Sequence, residues 1–131
     1  MRKFLFTGTF EAGKTTLISL FTQFPEIAVV NEVARDILSV RPDLASSPIF
    51  HDMNFMEQIR REEEASLKKP TVILCDRGVL DIIAYANILN HPVKQEWIDA
   101  LQNRYHMILF LIRMIFMSKI LVLKLINFEM R

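Results

Sequence analysis

The sequence predicts an α/β fold in which a parallel sheet of four to five strands lies between two layers of helices. Four short apolar runs recur along the chain, and none alternates apolar with polar residues as a strand with one solvated face would. Segments with helical spacing of apolar residues separate these runs. Strand–helix alternation of this kind is typical of a parallel sheet with right-handed crossover connections.

The composition agrees with a single globular domain. The chain has 131 residues, of which 51% are hydrophobic and 24% are charged, and these values argue against a disordered chain. Sixteen basic and fifteen acidic residues leave a net charge of +1, so no nucleic-acid partner is predicted. A single cysteine, Cys75, excludes an internal disulfide and favours a reducing, cytoplasmic compartment.

The strands are expected at residues 4–6, 27–30, 72–75 and 107–112. Continuous apolar runs of this length suit strands that helices cover on both faces. The last run opens a longer apolar stretch to residue 126, which three basic residues interrupt: Arg113, Lys119 and Lys124. Three charges within one span oppose insertion into a bilayer, so no membrane partner is predicted.

The helices are expected between these strands, at residues 15–24, 32–40, 52–68 and 79–89, and around 93–105. In the third helix, Met53, Met56 and Ile59 form one apolar stripe, and the charge run at 60–64 is interpreted as a solvated face. The fourth helix is apolar nearly all round, which predicts that it is buried. The last helix is amphipathic, with apolar residues at four-residue spacing: Val93, Trp97, Leu101 and Tyr105.

A phosphate-binding motif follows the first strand directly. Residues 8–15 match G-x-x-x-x-G-K-[ST] without a mismatch. Glycines let successive backbone N–H groups form a nest around an anion, because a Cβ would block the dihedral angles required. Lys14 would place its charge on the β- and γ-phosphates of a nucleotide, and Thr15 would place its hydroxyl on Mg²⁺. The predicted phosphate-binding residues are Gly8, Thr9, Phe10, Glu11, Ala12, Gly13, Lys14, Thr15 and Thr16.

A second candidate group lies where the third strand ends. Asp76 follows an apolar strand, and in folds with a phosphate loop such an aspartate holds Mg²⁺, usually through a water. Arg77 comes next, at a strand-to-helix turn that would direct its guanidinium to a phosphate or to acceptor hydroxyls. Asp81 is the only acid on the fourth helix, and two interpretations stay open: it faces the cleft, or it stabilises the helix dipole in the first turn.

A third carboxylate, Glu32, follows the second strand, and Arg35 lies three residues further on the same helix face. In open α/β sheets the ligand binds outside the carboxyl ends of the strands, where Glu32, Asp76 and the phosphate loop are all expected. Glu32 can accept a proton from an acceptor hydroxyl or hold a sugar hydroxyl. Alternatively, it caps its helix and pairs with Arg35.

Four other residues of ligand-forming types are given structural roles. Cys75 is interpreted as a small core residue. The three histidines show no spacing typical of metal ligands and are interpreted as loop or strand-edge residues: His51, His91 and His106.

Three blocks of the sequence, at residues 8–16, 30–35 and 75–85, together resemble the small AAA-type ATPases that are similar to the ribosylnicotinamide kinase domain of the bacterial NAD-biosynthesis regulator. More distantly, the chain resembles deoxynucleoside and thymidylate kinases. The resemblance covers about residues 1–112. It implies a P-loop NTPase fold, a three-layer sandwich that binds ATP and Mg²⁺.

The resemblance also implies roles for individual residues. It places Lys14 and Thr15 on ATP and Mg²⁺, and Asp76 on the metal. It directs other side chains toward a small-molecule phosphoryl acceptor. The implied catalytic residues are Lys14, Glu32, Asp76 and Arg77. The implied substrate-binding residues are Glu32, Arg35, Arg77 and Asp81.

The C-terminal part departs from this family pattern. Residues 1–112 are expected to form the nucleotide-binding core and residues 113–131 a divergent or truncated segment, so the fold is expected to be cut short. Arg113 is the only basic residue near the expected lid, and residues 119–128 show no recognisable adenine loop. An undocked apolar tail would drive self-association, and the oligomeric state is not predicted.

Two functions therefore stay open. The first is ATP-dependent phosphoryl transfer to a small nucleoside, nucleotide or ribosyl metabolite. The second is an ATP–Mg²⁺ binding module that is catalytically impaired, because without a lid water is poorly excluded from the reacting groups.

Overall fold

A five-stranded sheet forms the centre of the structure, a computed structural model that describes residues 1–8, 14–113 and 120–125. For residues 15, 112, 113 and 120–125 it describes the backbone alone. The strands are β1 (Arg2–Gly8), β2 (Ile27–Val30), β3 (Val72–Asp76), β4 (Met107–Arg113) and β5 (Ile120–Leu125). The order across the sheet is β2-β3-β1-β4-β5.

The predicted parallel α/β sheet is confirmed for the first four strands. β1 pairs in parallel with both β3 and β4, and β2 pairs in parallel with β3. β5 instead pairs antiparallel with β4. A parallel partner needs a crossover of a dozen or more residues, and the connection at 114–119 is too short for one. The expected division into two segments at residue 112 stays a prediction.

Five α-helices and one 3₁₀ turn are described. They are α1 (Lys14–Ser19), α2 (Val33–Val40), the turn Pro42–Leu44, α3 (Pro48–Leu67), α4 (Val79–Ile88) and α5 (Gln95–Leu101). α3 begins four residues before the predicted start because Ser47 caps it, accepting a hydrogen bond from the backbone N–H of Ile49, and Pro48 suits the first turn. No helix in these described ranges is long and apolar enough to cross a membrane.

The core occupies both faces of the sheet. On one face, Leu5, Ile73 and Cys75 pack with Ala65 of α3. On the other face, Phe6 and Leu74 pack with Ile18 and Leu111. A further cluster around Trp97 joins α3, α4 and α5. Neighbouring residues of β1 and β3 thus alternate between two covered faces, as continuous apolar strands require.

The face that α3 buries is not the predicted apolar stripe. Of the predicted stripe, Ile59 packs against the cluster around Trp97, but Met53 is exposed and Met56 is 72% exposed. The helix instead buries a mixed aromatic and polar face: Phe50, His51, Asn54, Phe55, Gln58, Glu62 and Ala65. The interpretation of the charge run as solvated is therefore wrong for Glu62, which is 0% exposed because cationic and hydroxyl partners surround it in the fold.

Two smaller predictions also need correction. α4 is not buried all round: Val79, Ile82 and Ala86 face the core, whereas Tyr85 and Ile88 are exposed. His51 does not lie in a loop but in α3, where it is buried beside His91.

The remaining structural interpretations agree with the structure. His91 lies in the loop after α4. His106 lies just before β4 and accepts a hydrogen bond from the backbone N–H of Lys3. Cys75 is a core residue, and burial raises the pKa of its thiol well above the ordinary value.

Candidate functional site

The predicted site residues meet at one edge of the sheet. In the strand register Phe6 lies opposite Asp76, and Val30 lies opposite Cys75, so β1, β2 and β3 end side by side. Gly8, Glu32 and Asp76 therefore come to the same edge although they are far apart in sequence.

Gly8 is required by the close approach of β1 and β4. Its φ is +143°, and a Cβ on it would lie 2.0 Å from the carbonyl oxygen of Leu111. The motif predicts a role for this glycine in an anion nest, and the structure adds a steric reason for it. The predicted nest residues Thr9, Phe10, Glu11, Ala12 and Gly13 lie outside the described residues.

Lys14 and Asp76 form a buried ion pair beside the start of α1. The Lys14 Nζ donates a hydrogen bond to the Asp76 carboxylate, and both residues are almost fully buried. Each charge compensates the other, because an unpaired charge buried away from water would destabilise the folded protein. The structure thus brings together the predicted phosphate-binding lysine and the predicted metal-binding aspartate.

The donor set at this point fits Mg²⁺ bound together with a nucleotide. Mg²⁺ sites of this kind use one or two protein oxygens, with phosphates and waters completing the octahedron. Asp76 would supply a carboxylate, and the Thr15 side chain, predicted as the second ligand, lies outside the described part. Within that part, no group of three or more His, Cys, Asp or Glu side chains could hold a metal alone.

Arg77 links three parts of the site. Its φ is +63°, unusual for a residue with a side chain, and its backbone N–H donates to the Phe6 carbonyl at 2.9 Å. Its guanidinium lies 3.1 Å from Asp81 Oδ1, 3.4 Å from Glu32 Oε1 and 3.4 Å from the Gly8 carbonyl oxygen. These contacts hold the turn that carries Arg77 against the end of β1 and beside Glu32 and Asp81.

Asp81 fulfils both of its open interpretations. Its Oδ2 accepts a hydrogen bond from the backbone N–H of Gly78 at 2.8 Å, which caps α4, and its Oδ1 accepts from the Thr7 hydroxyl. It also lines the cavity described below. Burial raises the pKa of Asp81, while the hydrogen bonds from Thr7, Gly78 and Arg77 oppose that rise.

Glu32 and Arg35 form the ion pair that the sequence left as an alternative. The Arg35 Nη2 lies 3.1 Å from Glu32 Oε2, and the Arg35 side chain is 60% exposed. Glu32 occupies the N-cap position of α2 but makes no side-chain capping hydrogen bond. Glu32 lines the cavity, whereas Arg35 is not among the described residues that do. The substrate-binding role of Arg35 stays a prediction. Thr16 is also exposed, and its phosphate-binding role likewise stays a prediction.

A cavity of about 490 Å³ opens beside these charges, between α2, α3 and α4. Its size suits a small-molecule ligand. α3 contributes three residues that sequence analysis missed, Phe50, Asn54 and Gln58. Their four-residue spacing places them on one helix face, and this spacing was the available signal.

A second buried network supports the site from behind. In what we call the Glu62 cluster, Oε1 of Glu62 accepts from Lys3 at 3.0 Å and Arg104 at 2.9 Å, and Oε2 accepts from Gln58 at 2.7 Å and Tyr105 at 2.8 Å. Burial, and then the Glu62 charge, raises the pKa of Tyr105, so its hydroxyl stays a donor.

The Glu62 cluster reaches the turn that carries Arg77. The Tyr105 hydroxyl accepts a hydrogen bond from the backbone N–H of Val79 at 3.0 Å. Gln58 Nε2 lies 3.5 Å from the Arg77 carbonyl oxygen. The turn between β3 and α4 is therefore fixed on its core side by this cluster and on its outer side by Asp81.

Comparison with known proteins adds one finding. Residues 3–119 match the model of a protein family described as AAA domain, so the match covers most of the chain. No curated protein matches it.

Proposed function

The chain belongs to the AAA domain family of nucleotide-binding, ATPase-like proteins, and from this we propose that it transfers a phosphoryl group from ATP to a small nucleoside, nucleotide or ribosyl metabolite. The observation that supports this most is the cavity that adjoins Gly8 and Thr7 at the end of β1. A protein that only hydrolyses ATP needs space for a water, whereas this cavity has room for an organic acceptor next to the phosphate side.

In the proposed reaction Lys14 neutralises charge on the β- and γ-phosphates. Asp76 and the Thr15 hydroxyl would hold Mg²⁺, which neutralises charge developing on the transferred group when bound. Phosphoryl transfer requires positioning and charge stabilisation more than covalent chemistry, so a few fixed groups suffice.

Glu32 would act on the acceptor. Its carboxylate takes the proton from the acceptor hydroxyl as the oxygen forms its bond to the γ-phosphorus, and the bond from that phosphorus to the β-phosphate bridging oxygen breaks to release ADP. Arg77, which contacts both Glu32 and Asp81, holds these carboxylates in position and offers positive charge to the transferred group.

A nucleotide-binding module with little turnover is the second candidate. Lys14 pairs with Asp76, and Arg77 pairs with Glu32 and Asp81. With these cations already neutralised, less positive charge is available to match the transition state in the part of the site that is described.

The test is ADP release by the purified protein with a panel of nucleosides and ribosyl compounds. We expect at least one compound to stimulate release, and Glu32→Gln to reduce the stimulated rate about 10²- to 10⁴-fold without weakening ATP binding. Lys14→Ala should abolish ATP binding, while Lys68→Ala, a change at an exposed lysine, should not.

Two results would contradict the proposal. Tight ATP binding without any acceptor-stimulated ADP release would favour the second candidate. Unchanged ATP binding in Lys14→Ala would contradict the phosphate-loop assignment on which both candidates depend.

A further inference from the structure

The amide of Asn54 lies at the cavity without a hydrogen-bond partner among the described residues. Asn54 is 9% exposed and lines the cavity, and its side chain makes no hydrogen bond to any residue in the described part of the chain. An amide carries two N–H donors and a carbonyl acceptor, and at the cavity wall these are within reach of a bound molecule. A polar group kept in this condition next to a cavity is explained if a ligand completes its hydrogen bonds.

The neighbouring amide, Gln58, is in a different condition. Its Nε2 donates to Glu62 Oε2 at 2.7 Å and also approaches the Arg77 carbonyl oxygen. The NH₂ group of Gln58 is therefore committed to the protein. Of the two amides that α3 presents to the cavity, Asn54 is the one whose donors and acceptor are both available to a ligand.

The cavity wall next to Asn54 is aromatic and uncharged. Phe50 lies one helical turn before Asn54 in α3, and its ring centroid is 6.3 Å from that of Tyr85 in α4. Leu38 and Ile88 add apolar surface. The charged lining residues belong instead to the turns after β2 and β3 and the first turn of α4, beside the phosphate side of the cavity.

We infer that this cavity binds a neutral planar heterocycle whose edge presents a hydrogen-bond donor next to an acceptor, and that Asn54 reads that edge while Phe50 and Tyr85 contact the ring. The inference rests on the proposed function in one respect: the heterocycle is taken to be the ring of the phosphoryl acceptor. A single amide matches such an edge with two parallel hydrogen bonds, since its carbonyl and NH₂ groups lie side by side.

The test measures binding and needs no turnover. Adenosine, guanosine, cytidine and uridine are titrated calorimetrically into the protein, with and without a non-hydrolysable ATP analogue that occupies the nucleotide site, and ribose serves as the ring-free comparison. We expect at least one nucleoside to bind more tightly than ribose. Asn54→Leu should weaken that binding about tenfold or more, whereas Asn87→Leu, at an exposed position of α4, should leave it unchanged.

Two further measurements keep the inference falsifiable. If Asn54→Leu does not fold, wild-type protein is titrated with purine riboside or pyrimidin-2-one riboside, which lack the exocyclic amino group of adenosine or cytidine. A comparable loss of affinity is expected there when the parent nucleoside binds. In the ligand-free protein, Asn54→Leu should leave the melting temperature nearly unchanged, because the amide makes no hydrogen bond to the described residues.

The inference is overturned if no nucleoside binds more tightly than ribose, or if Asn54→Leu folds and binds like the wild type. It is also overturned if removing the donor or acceptor from the ring changes nothing. Tight binding through Asn54 without ADP release would support the inference and contradict the kinase proposal. ADP release with an acceptor that binds independently of Asn54 would support the kinase proposal and contradict the inference.

Discussion

The Glu62 cluster and the residues around the cavity contain the same kinds of charged side chain, but they differ in burial and in the distances to their partners. Each carboxylate oxygen of Glu62 has two partners at 2.7–3.0 Å, and Glu62 has no exposed surface. Around the cavity, Arg77 meets Glu32 and Asp81 at 3.1–3.4 Å, and these side chains keep 16–26% of their surface. Burial of charge alone therefore does not identify a functional site; the charges around the cavity differ from those of the Glu62 cluster because they are partly exposed and line a space that a ligand can enter.

The largest expected effect on stability comes from disrupting the Glu62 cluster. Glu62→Ala would leave Lys3 and Arg104 without their shared carboxylate and Gln58 and Tyr105 without an acceptor. We expect a loss of about 3–5 kcal/mol in the free energy of unfolding, measured by urea denaturation. Glu63→Ala, at the exposed neighbouring position, should change it by less than about 0.5 kcal/mol. Equal effects of the two changes would contradict a structural role for the Glu62 cluster.

An intermediate effect on stability is expected at Gly78, where the Glu62 cluster adjoins the residues around the cavity. A Cβ there would lie 2.4 Å from the Tyr105 hydroxyl oxygen and 2.8 Å from Cδ1 of Leu5. Gly78→Ala should cost about 1–3 kcal/mol of stability, because a well-packed core must shift to accept the methyl group.

A double-mutant cycle sharpens this prediction. If the clash with Tyr105 dominates, the cost of Gly78→Ala should be smaller in a Tyr105→Phe background, since the hydroxyl is then absent. An unchanged cost would assign the effect to Leu5 instead and would remove the proposed link between the two regions.

The smallest effect concerns His51, a buried residue of α3. Unlike Glu62, it has only part of its hydrogen bonds formed, and unlike Asn54, it is not among the described residues that line the cavity. Its Nδ1 has no hydrogen-bond partner within the part of the chain that the structure describes, and its Nε2 shares a hydrogen bond with Nδ1 of His91 at 2.8 Å. Burial lowers the pKa of His51, with a further contribution from His91, while the nearby Asp52 acts in the opposite direction.

The sign of the pH dependence follows from this lowered pKa. Below about pH 6.5 the unfolded chain binds a proton that the folded imidazole resists, so stability should fall as pH falls toward the folded-state pKa. Melting temperatures between about pH 7.5 and pH 5 should show this decline, and His51→Phe should reduce it. The decline should persist in His106→Asn, and a decline identical in all three proteins would contradict the assignment.

Much of this architecture was predictable because its signals are local. Continuous apolar runs located the first four strands, and the parallel arrangement brought Gly8, Glu32 and Asp76 to one edge. The buried face of α3 was not predictable in this way. Hydropathy favours Met53 and Met56 over Asn54, Gln58 and Glu62, yet the polar residues are the buried ones.

The reason lies in partners distant in sequence. Glu62 is buried because Lys3 and Arg104 reach it, and neither residue is near it in the chain. The same holds for the cavity: Phe50 and Tyr85 become neighbours only when α3 packs on α4. A single sequence shows such residues as ordinary members of a charged helix.

The central position of β1 has a consequence for how the protein is made. This strand is synthesised before both of its neighbours in the sheet, because Arg2 pairs with Val72 of β3 and Phe4 pairs with Met107 of β4. Pairing over such separations is slow to form, and an apolar strand without its partners is prone to aggregate in the meantime. The end of β1, where Gly8 begins the phosphate-binding motif, therefore reaches its native pairing only after β4 has emerged.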